Sequence, residues 1–296
     1  MKNIFLFILI SGFITVKAQI KYNDQDFADI SKMAEKIADV NAKYLVKDGV
    51  KKVMVMEFFG EFVTSKEVSP STFEKMNSNW YTEQKSTIEM GSDYYESITN
   101  LMFEKVKKVL NDNGIEVLNK DTLINNQDYI ALGLKQEKTG KQYTGGVGKQ
   151  STSSEVLKRS VSGMGMFSET LQLMAINKIN SLVPKIANDN SCQGALKVKF
   201  RIGLGKKGTP TIDYINVTLD SKIDSYKAGK DKVTYYFKNG GNGICSTKKG
   251  LITDADIAGT EKGTVDVEKY NAILLKMADA MCNSYSYLIK QEISKK

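Results

Sequence analysis

The chain has 296 residues, 41% of them hydrophobic, and carries 42 Lys and Arg against 34 Asp and Glu, for a net charge of +8, with three Cys and no His. Without histidine the usual base near neutral pH, the usual activator of Ser and Cys nucleophiles and the commonest zinc ligand are missing, so serine-histidine, cysteine-histidine and histidine-metal mechanisms are excluded. Only Arg159 and Arg201 are arginines, so the planar forks that read guanine or clamp phosphate are nearly absent and nucleic acid is not an expected partner.

The N-terminus reads as a signal peptide over residues 1–18. Lys2 gives a positive start, an unbroken apolar run follows over 4–10, Ser11 and Gly12 relax it, and Val16-Lys17-Ala18 offers a small-residue exit. The apolar run is shorter than the ~20 residues of a spanning helix, so cleavage near Ala18 and a periplasmic or secreted product without a transmembrane helix are expected. Loss of Lys2 and Lys17 lowers the net charge to +6. The remaining lysine excess permits peripheral contact with anionic membranes or glycans.

Next, Phe27, Ile30, Met33, Ala34, Ile37, Val40, Tyr44 and Leu45 recur at helical spacing, which predicts one amphipathic helix over residues 26–46 within an N-terminal segment at 19–49. A single α/β domain is expected over 50–296. It opens on Val53-Met54-Val55-Met56, apolar on both faces as in a central strand. Ser92 is placed to cap a second helix, whose apolar face runs from Tyr95 to Leu110, and Asn113-Gly114 supplies a left-handed stop. Ile115 to Leu118 forms the next strand, completing a parallel βαβ unit.

Residues 139–168 are rich in Gly, Ser and Thr and read as a flexible loop, with Met164, Met166 and Phe167 at its far end. A third helix with Pro184 near its end follows. Leu196, Val198, Phe200, Ile202 and Leu204 then alternate with Lys197, Lys199, Arg201 and Gly203, a half-buried strand with a basic outer face. The chain turns at 205–210 and returns over 212–219, with the apolar phase slipping at Tyr214-Ile215 as at a bulge. Val233, Tyr235 and Phe237 add a strand, and Asn239-Gly240-Gly241-Asn242-Gly243 reads as a turn. A long C-terminal helix places Val267, Tyr270, Leu274, Met277, Met281, Tyr285, Leu288 and Ile289 on one seam. The expected fold is therefore a mixed α/β sheet, a βαβ unit followed by an antiparallel hairpin, packed by helices.

The chemistry-bearing motifs are few. Thr144-Gly145-Gly146-Val147-Gly148-Lys149-Gln150 is similar to a phosphate loop, but Gln150 stands where a Ser or Thr must hold magnesium, and a polar segment precedes it. Asp254 and Asp256 with Gly259 suggest a calcium loop, yet Ala258 and Val265 cannot ligate. No cofactor or metal is expected. Glu57, Glu61, Asp213 and Asp224, placed near strand ends, are the acids available for carboxylate-only glycan hydrolysis. Tyr94-Tyr95 and Tyr235-Tyr236 suit either a stacking surface or a core. Of the cysteines, Cys192 and Cys245 are the favoured pair for a bridge, and Cys282 reads as a small core residue.

The order of apolar strand (53–59), long helix, Ile115-Glu116-Val117-Leu118-Asn119-Lys120-Asp121, second helix and Gly194-Ala195-Leu196-Lys197-Val198 opening a hairpin resembles the periplasmic domain of the curli secretion channel (CsgG-like) family and the N-terminal domain of TolB. The resemblance spans residues 51–221. It implies a non-enzymatic envelope protein that assembles or binds protein partners, and it assigns no functional residue. The binding surfaces expected from the residues themselves are Met164, Met166 and Phe167 on the loop and Lys197, Lys199 and Arg201 on the basic strand face. The competing expectations are a carboxylate-dependent glycan hydrolase and a purely structural surface protein.

Overall fold

The computed structural model describes residues 19–69, 84–88, 90–144, 151–168, 173–227, 233–259 and 265–295; residues 1–18, where a signal peptide is expected, and the glycine-rich residues 145–150 lie outside them. The fold is the mixed α/β sheet expected, with parallel and antiparallel pairings and a long C-terminal helix. Its axis is β3 (Lys52–Ser69), an 18-residue strand. The helix α3 (Ser92–Asp112) leads from it to β5 (Glu116–Val117), which pairs parallel with β3 at Lys52 and Val53 and closes the βαβ unit. Gly114, at φ +76°, supplies the left-handed stop after α3. The cap at its other end is Gly91 rather than Ser92, which is already helical.

On its other flanks β3 pairs parallel with β8 (Gly194–Leu204) and antiparallel with β4 (Gln84–Thr87) and β7 (Ser151–Ser160). The strand β9 (Pro210–Lys227) returns against β8, and Asp213 is the unpaired extra residue of a bulge between Arg201 and Ile202, one position before the slip expected at Tyr214. Further strands are β1 (Gln19–Lys21), β2 (Ala38–Val40), β6 (Glu137–Thr144), β10 (Val233–Thr247) and β11 (Gly250–Ile252). The described strands form one sheet in the order β1-β11-β9-β8-β3-β7-β6, with β10 paired to β9 and β2.

Three expectations are corrected. The single helix over 26–46 is instead α1 (Ile30–Ile37), β2 and α2 (Lys43–Lys47). Residues Ala38, Asp39 and Val40 give up helical bonds to pair with Thr247, Ser246 and Cys245 of β10, so backbone pairing overrides local periodicity. With β1 also paired to β11, the segment 19–49 contributes two strands to the sheet between and before its two short helices. The expected loop at 139–168 is the β6–β7 hairpin followed by a packed segment, because the far half of β3 needs a partner and its threonines and serines tolerate an extended backbone. The Asn239 to Gly243 turn is a bulge inside a continuous β10, between the pairs Asn239↔Ser221 and Asn242↔Leu219.

One sheet face carries α3, α1 and the C-terminal α7 (Val267–Ser294). Here Phe58 meets Phe103 at 5.3 Å and Phe200 at 5.9 Å, and Phe62 meets Tyr95 at 4.9 Å and Phe200 at 5.7 Å. Tyr285 of α7 is fully buried and donates its hydroxyl proton to Ile215 O at 2.6 Å, so its polar end is satisfied. The helix α6 (Leu173–Asp189), with Pro184 inside it, packs on the opposite face. Two short helices, α4 (Asp121–Ile124) and α5 (Gln127–Ile130), link β5 to β6.

The cysteines Cys192, Cys245 and Cys282 are all free and buried, so the favoured Cys192 to Cys245 bridge is not formed. Burial pushes the Cys192 thiol up to about 11 and the Cys282 thiol up to about 12, which makes both poor nucleophiles near neutral pH.

Gly60 faces Phe200 with no room for a side chain, since a Cβ there would lie 2.3 Å from the ring's Cζ. Gly60→Ala should therefore cost about 1–3 kcal/mol through overpacking, read as a lowered urea midpoint at unchanged slope. An unchanged midpoint would show that the aromatic cluster is loosely packed.

Candidate functional site

The two expected binding surfaces fare differently from what their residues suggested. Met164 and Met166 are fully buried and Phe167 is 8% exposed, with Tyr129 of α5 against the Phe167 ring at 5.9 Å. They seal the α6 side of the sheet and present nothing to a partner. The side chains of Lys197, Lys199 and Arg201 all project from β8 toward that side, but each is engaged by an acid.

The centre of this engagement is Glu61. Gly60 and Phe62 turn one way along β3, so Glu61 turns the other, and it is 2% exposed. It accepts the Tyr214 hydroxyl at 2.7 Å and meets Lys199 at 3.0 Å, Arg201 at 3.3 Å and Lys158 at 3.4 Å. Arg201 also meets Asp213 at 3.3 Å and donates to Gln142 at 2.6 Å. Gly203 lets the Asp213 side chain lie there, because a Cβ at that position would sit 2.7 Å from its carboxylate. The network spans β6, β7, β3, β8 and β9. Strands β6 and β8 would lie about 14 Å apart in a flat sheet, so the Arg201 to Gln142 bond reports a sheet coiled toward this face. Lys199 also lies over the Phe59 and Tyr214 rings at 5.6 and 5.8 Å.

Burial raises the cost of charge on Glu61, but Lys199, the Tyr214 hydrogen bond and Lys158 outweigh it and hold its pKa below the ordinary carboxylate value. Glu57, four residues earlier and 4% exposed, goes the other way. Burial dominates there and raises its pKa, although Ser168 donates to it from N at 2.8 Å and from Oγ at 3.0 Å. The two acids are four residues apart on one strand face and share no partner, Glu57 being held by Ser168 and Glu61 by its cations. They lie within β3 rather than near its ends. Asp224 is on the far half of β9, bonded to Lys238 at 2.5 Å. On the other face of the sheet, the recess lined by Phe62, Tyr94, Tyr95 and Tyr270 measures about 10 Å³, the space of roughly one water.

Of the other motifs, Asp254 pairs with Lys21 at 2.6 Å and Asp256 accepts from Ala258 N at 3.0 Å. Among the described residues no cluster of three or more acids or cysteines is placed to hold a metal ion. The phosphate-loop glycines lie outside the described residues, and the strand leading to them, β6, is an exposed edge rather than a buried one.

What the structure presents instead is an arm. Beyond Ser221, which pairs with the first residue of β8, the strands β9 and β10 continue alone to Lys227 and Val233. Both strands bend at this level, with Lys222 at φ +61° and Gly241 at φ +68°. Two carboxylates hold the bend. Asp48 accepts from Ser221 Oγ at 2.7 Å and Asn239 Nδ2 at 2.8 Å, while Asp220 accepts from Gly241 N at 2.6 Å and meets Lys197 at 2.9 Å. The left-handed lysine costs about 1 kcal/mol, which the surrounding bonds sustain. Ile223 and Phe237 of the arm pack toward the core, and Lys185 of α6 lies near Tyr235. The other face carries Tyr226 and Tyr236, 6.0 Å apart, and Tyr226 is 56% exposed. The β-rich run Val233 to Phe237 and the Asn-Gly cluster were the sequence signals for this arm; reading the cluster as a turn concealed it.

Glu61→Gln leaves three cations on a buried face with a weaker acceptor and should cost about 2–4 kcal/mol at neutral pH. Because the folded pKa of Glu61 is lowered, that loss should shrink as pH falls from about 4.3 through the folded value. The raised pKa of Glu57 means its charge opposes folding at neutral pH. Glu57→Gln should therefore be neutral or stabilising there, with the gain vanishing as pH falls through the raised value toward about 4.3. Urea unfolding of both variants between pH 3 and 7 checks this, and shifts of the same sign in both would contradict it.

Comparisons of the chain with family models, with curated proteins and with solved structures find no match, so the functional reading rests on this geometry.

Proposed function

We propose that this chain is an exported protein of the cell envelope, periplasmic or secreted, that works by protein binding or assembly. The observation that supports it is the bent arm of β9 and β10. A two-stranded ribbon with unpaired edges is a template for a further strand, and such edges are normally covered or blunted unless they are used. Here the fold commits the half-buried Asp48, the buried Asp220 and a left-handed lysine to aiming the ribbon.

The export half of the reading draws on the signal-like N-terminus, with its apolar run over 4–10 and its small-residue exit at Ala18. None of the described helices is long and apolar enough to cross a membrane. The assembly half also accords with the resemblance to the curli secretion channel family. A hydrolytic role lacks support, because the candidate acids are bound to cations or held apart.

Two measurements test the reading. Mass spectrometry of the chain recovered from the envelope should find Gln19 as its first residue; an intact Met1 on cytosolic protein would refute export. A photo-crosslinking amino acid at Tyr226 should capture a protein in the native envelope, whereas the same group at Ile130, which is 53% exposed on α5, should not. Equal capture at both positions, or none at Tyr226, would remove the arm as the binding element.

A further inference from the structure

We infer that the outer edge of β10 in the arm pairs antiparallel with the same edge of a second copy of this chain, around a two-fold axis at Tyr236. The inference rests on the binding reading above and names its partner.

Charge selects this edge. Every copy is strongly cationic, so copies meet best where no lysines face one another. The open edge of β6 carries Lys138 and Lys141, and the far edge of β9 carries Lys222, Asp224 and Lys227. Along β10 the run Val233, Thr234, Tyr235, Tyr236 and Phe237 is uncharged, β-branched or aromatic throughout, and Val233 is 47% exposed. Among the described residues no strand pairs with the outer side of this run, since β2 joins β10 only at Cys245 to Thr247. It is the unguarded edge of the three.

The sequence of the run is also self-complementary. Two antiparallel strands side by side in one sheet are related by an axis normal to the sheet, so one residue faces its own copy. With Tyr236 at the axis, Tyr235 faces Phe237 of the second copy, Thr234 faces Lys238 and Val233 faces Asn239. That register pairs aromatic with aromatic across the strands and sets no cation against another. Lys238 is already neutralised by Asp224 on its own ladder. Seven paired residues make a small contact, so the association is weak and concentration-dependent.

The test uses the exported chain purified from the envelope. Sedimentation should show a monomer passing to a dimer as concentration rises. Under mild oxidation Tyr236→Cys should give a disulfide-linked dimer, because the residue faces itself, whereas Thr234→Cys should not, being about 14 Å from its mate along the strands. The native thiols are buried and stay out of the reaction. A chain that remains monomeric at every concentration, or equal linkage at both positions, overturns the inference; should Tyr236→Cys fail to fold, sedimentation of the unaltered chain decides alone. If self-association is absent while the Tyr226 crosslinker captures a different protein, the second copy is wrong and the binding reading stands; if neither occurs, both fall.

Discussion

A carboxylate buried on a sheet face is tolerable only when cations surround it, and Glu61 imposes that condition on five strands at once. It sits at the middle of β3, so Lys158 from β7, Lys199 and Arg201 from β8 and Tyr214 from β9 must converge on it, and Arg201 in turn draws in Gln142 from β6 and Asp213. An apolar residue there would take from those cations the acid they share, although Arg201 would keep Asp213. The coil of the sheet follows from the same demand, because distant strands are brought within reach of one guanidinium. The basic strand face is thus tied into ion pairs within the fold, with Lys197 and Lys199 still reaching solvent.

With the cations of that face already paired, the ends and edges of the sheet offer further surface for contact. The length of β9 and β10 beyond the start of β8 makes an arm inevitable, and its direction is set locally. Asp48, from the turn after α2, reaches both strands of the arm at its root, and Asp220 ties the Gly241 backbone to Lys197. Burial opposes the charge on Asp48, but the Asn239 and Ser221 bonds and the neighbouring Lys222 hold its pKa below the ordinary value, so the clamp is ionised at neutral pH. The N-terminal residues serve the same end. Instead of a detached helix they supply β1, which pairs with β11, and β2, which pairs with β10 at Cys245 to Thr247 and stops short of its outer stretch.

Periodicity made the helices α3, α6 and α7 and the β8 strand legible, because each has a continuous apolar stripe or alternation that one partner surface satisfies. It failed at residues 26–46, where a helical pattern was cut by pairing to β10, and at 139–168, where polar composition suggested a loop. There the unpaired length of β3 decided the outcome, since an extended partner satisfies backbone groups whatever the side chains. The site was less legible still. Met164, Met166 and Phe167 look like a sticky loop tip in sequence and are core in space, and nothing in the spacing of Glu61 announces that three cations from two other strands will meet it.

By itself the sequence determined which chemistries are closed, the alternation of β8, the βαβ order and the long C-terminal helix, because these depend on residue inventory and on contacts between near neighbours. Tertiary structure alone decided which charges are spent inside, which loops become strands and which edge is left open. Those outcomes turn on groups 60 to 190 residues apart in the chain, such as Arg201 with Gln142 and Asn239 with Asp48, and pairing at such separations is set by the geometry of the closed sheet.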